Sequence, residues 1–494
     1  MIDHVALLPA YLAAATAVAA FLADLVAPGN RTAVAASTGL GALATGIAAI
    51  AVGRGPVRQT FCATATDCSL VAGHRAALVA ALFAGLTLVV VALSVPTQRL
   101  GEYYFLLGCA MTGGVVLGYA GDLITLVVAL ETLTLPLYIL VALRRGTVDA
   151  AVTFFVVSVV STAVTLLGAG LLYAATGAVH FGRLADALAS TGPQPLITVG
   201  VVLVLAGLSF KVAAVPFHAW APATYDGAPV PVAGYLSTAS KLGGVIAILA
   251  VALTALRPAY HIVAPTLAVL AVLSMTVGNL VALRQDRMVR LLAWSSVAQA
   301  GYLLAPLGVV DPTAASAAAT LGYTFFYVLL ELTAFGAVVA LRGAEDGGRI
   351  ADYAGAARRS PWVAGALGLA LVGLAGLPPG LAGLFAKVVV VRALLSTGTG
   401  WLAVVVALNA VLGLAYYLRA TATLFTPTGA TVRPGGLSAS GPGPVSGPES
   451  ASGPGSASGR VPWPVLAALA AVALAAVVVG FAPQLVLAAV GAQP

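Results

Sequence analysis

Three lysines, Lys211, Lys241 and Lys387, are the only lysines in the sequence, and each lies in a long apolar segment. The other basic side chains are arginines, nearly all in short connections between apolar segments. A charged side chain deep in a bilayer is costly and usually has a function. A buried lysine can release its proton near neutral pH, whereas an arginine stays charged. The lysines therefore predict a proton relay.

Two acids and one histidine extend this set. Glu131 and Glu331 lie in apolar segments, where an unpaired carboxylate would be protonated or would seek a cation. His218 follows Pro216, and its imidazole suits proton exchange between the relay and bulk water. Buried ion pairs that only hold helices together are the alternative interpretation. Two of the lysines adjoin predicted helix breaks, which favours transport.

The elements that carry these residues are apolar throughout. The chain has 494 residues, of which 61% are hydrophobic and 8% charged. Apolar stretches recur that are long enough to cross ~30 Å of hydrocarbon as helices, and they do not alternate as barrel strands would. The sequence predicts an all-α integral membrane protein with about fourteen transmembrane helices. Three cysteines and no Gly-rich dinucleotide motif predict no cofactor-binding or metal site in this chain.

Proline interrupts two of the predicted spans. The seventh ends in the run from Val215 to Pro222, and the twelfth contains Leu377-Pro378-Pro379-Gly380. Two broken helices in corresponding positions indicate a transport path. The spans are predicted at residues 5–26, 33–53, 76–95, 103–120, 122–142, 149–175, 195–214, 228–255, 262–283, 288–309, 313–341, 362–397, 399–421 and 463–489.

The arginines predict the orientation. With the N-terminus outside, fourteen arginines fall in inner connections and five in outer ones, while Arg392 lies in the twelfth span. This bias predicts that both termini are extracytoplasmic, and it explains the net charge of +7 without nucleic acid. The inner set is Arg31, Arg99, Arg144, Arg145, Arg284, Arg287, Arg290, Arg342, Arg349, Arg358, Arg359, Arg419, Arg433 and Arg460. The outer set is Arg54, Arg58, Arg75, Arg183 and Arg257.

Two connections have a composition of their own. Cys62 and Cys68 share an outer connection on the oxidising side, where they either form a disulfide or remain thiols. Residues 427–461 are rich in Gly, Pro and Ser, and they predict a disordered linker before the last helix.

Four stretches resemble a known family: the run from Glu131 to Tyr138, Gly207–Lys241, Gly278–Leu304 and Gly373–Lys387. In these, and over nearly its whole length, the sequence resembles the antiporter-like subunits of bacterial NADH-quinone oxidoreductase (respiratory complex I). The resemblance is closest to the subunit N group of this proton-conducting membrane transporter family. The related Mrp-type sodium/proton antiporter subunits share the general pattern.

The resemblance implies two inverted five-helix repeats, each with one broken helix. Lys211 and Lys387 would be the lysines of the two broken helices, Lys241 would link them, and Glu131 would control Lys211. The implied organisation is an N-terminal three-helix region at 1–102, repeats at 103–255 and 262–421, the linker at 427–461 and a C-terminal transmembrane helix at 462–494.

The resemblance also implies a location and partners. The chain would lie in the bacterial inner membrane beside other membrane-arm subunits of complex I. Partner subunits would carry FMN and iron–sulfur clusters, and quinone would be the substrate of the whole complex. No cofactor and no nucleic acid would bind this chain.

Three positions depart from the family pattern. Thr153 stands where a cation is common, so that Glu131 would lose its usual neighbour. Gln299 stands where histidine is frequent, and Glu331 where an uncharged polar residue is frequent. Two titratable groups are lost and one is gained, which is compatible with altered or weakened pumping.

The sequence thus predicts a proton-translocating subunit of NADH-quinone oxidoreductase that couples quinone reduction to proton transfer through a buried Lys/Glu axis. One alternative is an Mrp-like cation/proton antiporter subunit, which would act without a redox partner. The other is a non-pumping scaffold of the membrane arm, in which the lysines serve assembly alone.

Overall fold

The computed structural model describes residues 2–64, 67–96, 101–144, 146–192, 194–427 and 461–491. Within these ranges the chain is helical apart from its connections and one short β-hairpin. The predicted linker at 427–461 lies outside the described residues except for its two end positions. Arg99, Arg145, Arg433 and Arg460 of the orientation count also lie outside them.

Three helices and the hairpin form the N-terminal region. Asp3 caps the first helix, because its carboxylate accepts from the backbone N–H groups of Val5 and Ala6. The strands are antiparallel, and a disulfide joins Cys62 to Cys68, so these cysteines are not free thiols. The sequence analysis did not predict the strands. The elements are α1 (His4–Val26), α2 (Arg31–Gly53), β1 (Arg58–Cys62), β2 (Cys68–Ala72) and α3 (His74–Ser94).

The next segment contains the first broken helix. The last two α-helices of this segment are joined through the π-helical turn Leu236–Ser240. As a result, Val230–Ala255 forms one continuous span. The elements are α4 (Gly101–Tyr119), α5 (Leu123–Ala142), α6 (Val148–Thr176), α7 (Phe181–Thr191), α8 (Pro195–Lys211), α9 (Trp220–Gly227), α10 (Val230–Tyr235) and α11 (Lys241–Ala250).

The second broken helix lies in the following segment, where residues 376–380 separate its two halves. The elements here are α12 (Tyr260–Ala282), α13 (Met288–Leu304), α14 (Ala314–Arg342), α15 (Ala356–Arg359), α16 (Pro361–Ala375), α17 (Leu381–Ser396) and α18 (Gly400–Phe425). After the linker come α19 (Trp463–Phe481) and α20 (Gln484–Gly491).

The all-α membrane class is confirmed. Every predicted span contains a helix, and in the described chain ten helices are long and apolar enough to cross a membrane. The four remaining spans correspond to shorter, less apolar or interrupted helices: α4, α8, α13 and the pair α16 and α17. The two interruptions coincide with the two predicted breaks.

Each break has the backbone geometry that proline and small residues allow. After α8, Ala213 has a φ of 55°, and the Val215–Pro216 peptide bond is cis. After α16, Gly376 has a φ of 86°, and the Pro378–Pro379 bond is cis. A left-handed residue ends a helical ladder, and a proline cannot continue one. In both places a buried lysine lies close to the interrupted helix.

Glycines let the two halves of the second broken helix pack closely. A Cβ atom on Gly383 in α17 would overlap the carbonyl oxygen of Gly373 in α16. A Cβ atom on Gly380 would meet the backbone of the same residue. Neither contact could be relieved by turning a side chain, because the obstructing atoms are backbone.

We expect Gly383→Ala to destabilise the protein by about 1–3 kcal/mol, because overpacking at a backbone contact forces the half-helices apart. Gly365→Ala is the matched control, since a Cβ atom there meets nothing within 4 Å. Thermal unfolding of the purified chain in detergent measures both. Equal melting temperatures for the two variants would contradict the close packing.

Candidate functional site

Lys211, the last residue of α8, forms an ion pair with Glu131 of α5. Its Nζ lies 2.7 Å from Glu131 Oε1 and also donates to Ser158 Oγ at 2.9 Å and Thr134 Oγ1 at 3.3 Å. The lysine side chain is 4% exposed, whereas that of Glu131 is 26% exposed. The pair thus has one buried member and one that other molecules can approach from outside the chain.

Hydroxyl groups on two helices hold the Glu131 carboxylate. Thr162 donates to Oε1 at 2.5 Å, and the Tyr138 hydroxyl donates to Oε2 at 3.3 Å. Tyr138 also lies 2.5 Å from Ser158 Oγ. Ser158 and Thr162 are four residues apart, so one face of α6 presents both. The sequence analysis missed these hydroxyls, although two hydroxyl residues four positions apart in an apolar helix indicate a polar site on one face of that helix.

Thr153 lies away from this ion pair. It is exposed and lines a surface recess together with Arg144, Asp149 and Asp226. Thr153 supplies no cation to Glu131, but the carboxylate still has a cationic partner, because Lys211 forms an ion pair with it. The family resemblance implied that Glu131 acts on Lys211, and the structure places the two in contact although they lie 80 positions apart.

Lys241 is buried, at 1% exposure, at the centre of the chain. Its Nζ donates to the carbonyl oxygen of Ser296 and, at 3.1 Å, to Ser296 Oγ. The ring of Tyr327 lies 5.8 Å from Nζ, within the range of a cation–π contact. Neutral acceptors and an aromatic ring therefore surround this ammonium group.

Glu331 is the buried acid on the neighbouring helix α14, with 0% exposure. Its Oε1 accepts from Ser237 Oγ at 2.7 Å, and the Ser237 hydroxyl also lies 3.0 Å from the Tyr327 hydroxyl. Its Oε2 has no hydrogen-bond partner among the described residues. Ser237 precedes Lys241 by one helical turn, which places the acid near the lysine, although no salt bridge between them is found within the described ranges.

Lys387 is held by a helix end instead of an acid. Its Nζ donates to the carbonyl oxygens of Ala375 at 2.5 Å and Leu374 at 3.1 Å, which are the last residues of α16. The C-terminus of a helix carries a partial negative charge that favours a cation. The ring of Tyr302 lies 5.4 Å from the same nitrogen. The interruption of the helix thus leaves carbonyl oxygens at the end of α16, and these bind the lysine of α17, the other half of the same broken helix.

Gln299 connects the Lys387 site to its surroundings. Its Nε2 donates to Tyr417 at 3.0 Å and to the Leu374 carbonyl at 3.4 Å, and its Oε1 accepts from Tyr323 at 2.5 Å. Leu374 is therefore shared by Gln299 and Lys387. Tyr417 lies 2.5 Å from Ser295 Oγ, next to the serine that binds Lys241. Hydrogen bonds thus run from Ser295 through Tyr417 and Gln299 to the carbonyl that also binds Lys387, and the residue after Ser295 binds Lys241.

Among the described residues, no hydrogen bond joins His218 to any of the three lysines. Its ring packs against Trp294 at 5.3 Å between centroids, and its Nδ1 is buried without a hydrogen-bond partner in the described part of the chain. The structure therefore does not bring His218 into the lysine path. Within the same described ranges, no group of three or more His, Cys, Asp or Glu side chains could hold a metal ion.

A charged cluster, which the sequence analysis missed, joins the first broken helix to the second segment. Arg287 Nε lies 2.9 Å from both oxygens of Asp226, and its Nη2 lies 2.7 Å from Asp346. Arg144 donates to the Asp226 carbonyl at 2.6 Å. Burial raises the pKa of Asp346, but the Gly348 N–H and the guanidinium groups outweigh this and hold that pKa below its usual value.

A recess of about 560 Å³ opens beside Lys387, between α17 and α18. Arg392, one helical turn further along α17, is exposed and lines the same recess with apolar residues. Arg392 lies within the twelfth predicted span, and its exposed side chain reaches outward from the chain. Lys387 therefore has free volume on one side.

Comparisons with known proteins identify the family. The chain matches the family described as "NADH:quinone oxidoreductase/Mrp antiporter, TM" over residues 120–413. A protein of Salinispora tropica named NADH-quinone oxidoreductase subunit N is 62% identical over 514 residues, which cover 98% of each chain.

Two solved structures share the fold. A chain of respiratory complex I from Thermus thermophilus with bound aureothin aligns with a TM-score of 0.76 and 29% identity, over 97% of this chain and 98% of that one. A chain of the Mrp complex from Dietzia sp. DQ12-45-1b aligns with a TM-score of 0.80 and 22% identity, over 99% and 97%. The family match and the 62% identity show that this chain belongs to the NADH:quinone oxidoreductase/Mrp antiporter family of transmembrane subunits, in its NADH-quinone oxidoreductase subunit N group.

Proposed function

We propose that the chain translocates protons in the membrane arm of a respiratory NADH-quinone oxidoreductase, and that Glu131, Lys211, Lys241 and Lys387 form the relay. The observation that carries the proposal is the burial of all three lysines, each with its own set of acceptors. Ion pairing for packing alone would need an acid in contact with each lysine. Among the described residues only Lys211 forms a salt bridge, since Lys241 does not contact the nearby Glu331 and carbonyl oxygens hold Lys387.

The first step would occur at the Glu131–Lys211 pair. Because Glu131 is partly exposed, a charge change in a neighbouring subunit can act on it. A cation drawn to Glu131, or a proton bound by it, weakens its hold on the Lys211 ammonium group. Lys211 then passes on its proton, and the Ser158 and Thr134 hydroxyls next to Nζ are the first groups that can take part.

The middle step would use Lys241, with Glu331 in a supporting role. No hydrogen bond among the described residues joins Lys211 to Lys241, so this transfer needs water or side-chain movement. Glu331 has one oxygen without a donor, and it can therefore accept a proton without breaking its bond to Ser237. When the Glu331 carboxyl gains or loses a proton, its charge changes. This change would alter how strongly Lys241 holds the proton on its ammonium group.

The last step would release the proton from Lys387. Carbonyl oxygens hold its ammonium group, and these stay in place when the lysine becomes neutral. The Tyr302 ring is a further neutral contact. Lys387 can therefore release its proton without the prior protonation of a partner acid. His218 would serve as a secondary exchange site with bulk water.

The proposal includes the organisation and setting of the chain. Two inverted repeats at 103–255 and 262–421 would each contain one broken helix, after the three-helix region at 1–102, and the linker at 427–461 would lead to the terminal helix at 462–494. Both termini would lie outside the cytoplasm. FMN and iron–sulfur clusters would reside in partner subunits, and quinone would be reduced elsewhere in the complex.

We expect Lys211→Ala to lower the proton-to-electron ratio while electron transfer from NADH to quinone continues. The reason is that Glu131 loses its cation and the first site of the relay disappears. The measurement is proton pumping by inverted membranes at matched complex content. Thr153→Ala is the control, because Thr153 is exposed and lies away from the ion pair.

The outcome separates the candidate functions. An unchanged ratio in Lys211→Ala would contradict the relay. A loss of assembled complex with a normal ratio in what remains would support the scaffold function. The shared fold with the Mrp complex keeps the antiporter candidate in the comparison. Sodium-dependent proton exchange by the chain, without NADH or quinone, would favour it.

Glu331→Gln is expected to lower the proton-to-electron ratio with little loss of assembly. The amide keeps the size of the side chain and can still accept from Ser237, but it cannot take up a proton. The matched variant Gln299→Glu makes the opposite replacement, because it introduces a carboxyl group that can take up a proton next to the Lys387 site. A wild-type ratio in Glu331→Gln would show that Glu331 has no part in transfer.

A further inference from the structure

The Tyr225 hydroxyl is a buried polar group that the proposed relay does not yet include. Tyr225 lies in α9, the short helix that follows the first break, and its side chain is buried. Its hydroxyl makes no hydrogen bond within the described part of the chain. An unpaired hydroxyl in a buried position is unfavourable, and a role in catalysis is one recognised reason for such a group.

This hydroxyl lies between the central lysine and the central acid, Lys241 and Glu331. On one side it faces the hydroxyl of Ser296 in α13, and on the other the hydroxyl of Ser237 in the π-helical turn before α11. It is also within electrostatic reach of the Glu331 carboxylate. Helix α9 packs against α10 and α13, and this packing brings the three hydroxyls together.

Each neighbouring serine is already bonded to one member of the central pair. Ser296 Oγ accepts from Lys241 Nζ at 3.1 Å, and Ser237 Oγ donates to Glu331 Oε1 at 2.7 Å. The lysine and the acid form no salt bridge with each other in the described ranges. Three buried hydroxyls, of which that of Tyr225 is the middle one, therefore separate the ammonium group from the carboxylate.

We propose that the Tyr225 hydroxyl conducts a proton between Lys241 and Glu331, a role that rests on the relay of the proposed function. The ammonium group gives a proton to Ser296, and each hydroxyl in turn accepts one proton and passes on another. Ser237 delivers the last proton to Glu331 Oε1. The amine and the carboxyl are then neutral, and each hydroxyl again has one hydrogen. The transfer removes two buried charges that are not in contact, and such charges are costly in a medium of low polarity.

The hydroxyl route is interrupted at one link in this structure. The Ser296 hydroxyl donates to the Ala293 carbonyl at 3.0 Å and therefore does not donate to Tyr225. The route becomes continuous when that hydroxyl turns to the Tyr225 oxygen. Tyr225 adjoins Asp226, whose carboxylate binds Arg287 at the start of α13. A small movement of α9 relative to α13 would therefore connect or disconnect the route.

The test begins with Tyr225→Phe in the assembled complex, which removes the hydroxyl and keeps the ring. We expect the proton-to-electron ratio to fall to the value of Glu331→Gln, and the double variant to fall no further, because both changes remove the same route. Tyr104→Phe is the matched control. The Tyr104 hydroxyl is also buried without a hydrogen-bond partner among the described residues, but it lies at the start of α4 near Arg31.

Infrared difference spectroscopy during NADH oxidation gives a readout that a packing role would not change. The C=O stretch of the protonated Glu331 carboxyl is identified by its absence from Glu331→Gln. We expect this band to appear during turnover in the wild type and in Tyr104→Phe, and to lose most of its amplitude in Tyr225→Phe. Ser237→Ala, which removes the last hydroxyl of the route, should give the same loss and replaces Tyr225→Phe if gel filtration shows that the latter does not assemble.

Two results would overturn the role of Tyr225. One is a Glu331 band of full amplitude in Tyr225→Phe, whatever its proton-to-electron ratio. The other is the absence of a Glu331 band from the wild type during turnover. Lys211→Ala tests the relay separately. A reduced ratio in Lys211→Ala together with a full Glu331 band in Tyr225→Phe would reject the role of Tyr225 alone, whereas an unchanged ratio in Lys211→Ala would contradict the relay itself.

Discussion

A buried charge in a medium of low polarity must be met by an acceptor, and the rest of this structure follows from that constraint. The chain places three lysine side chains where lipid or apolar protein surrounds them. Each needs oxygen atoms at hydrogen-bond distance, and the helices offer few, because their backbone groups are already paired. Broken helices, serine and threonine hydroxyls and one partly exposed carboxylate are the means by which the chain provides these oxygens.

The two broken helices satisfy the constraint differently. At Lys211 a carboxylate neutralises the cation, so that its charge state is tied to whatever approaches Glu131. At Lys387 the exposed carbonyls of a helix end hold the cation, and Gln299 occupies the place beside it. Glu131 and Gln299 lie on corresponding helices of the two proposed repeats, α5 and α13. In the proposed relay, the Lys211 end would therefore respond to a neighbouring subunit, whereas the charge at the Lys387 end would depend on the fold of this chain alone.

The fold class and the positions of the lysines could be predicted from the sequence, since continuous apolar segments and proline interruptions are local signals. The pairing of Lys211 with Glu131 was implied by the family resemblance, and the structure places the two in contact. The carbonyl site of Lys387 could not be predicted, because every residue has a backbone carbonyl and the residue type does not show which carbonyls will bind a side chain. The disulfide and the hairpin require the connection to turn back on itself, and its amino-acid composition does not determine whether it does. The roles of Gln299 and Glu331 depend on side chains from distant helices.

The most direct test of the account is the proton-to-electron ratio of Lys387→Arg in the assembled complex. The recess beside Lys387 leaves room for the larger side chain, and an arginine can donate to the same carbonyls. It keeps the charge but does not give up its proton at physiological pH. The account predicts intact assembly and electron transfer with a reduced ratio. A wild-type ratio would contradict it, because a permanent charge would then serve as well as an exchangeable proton.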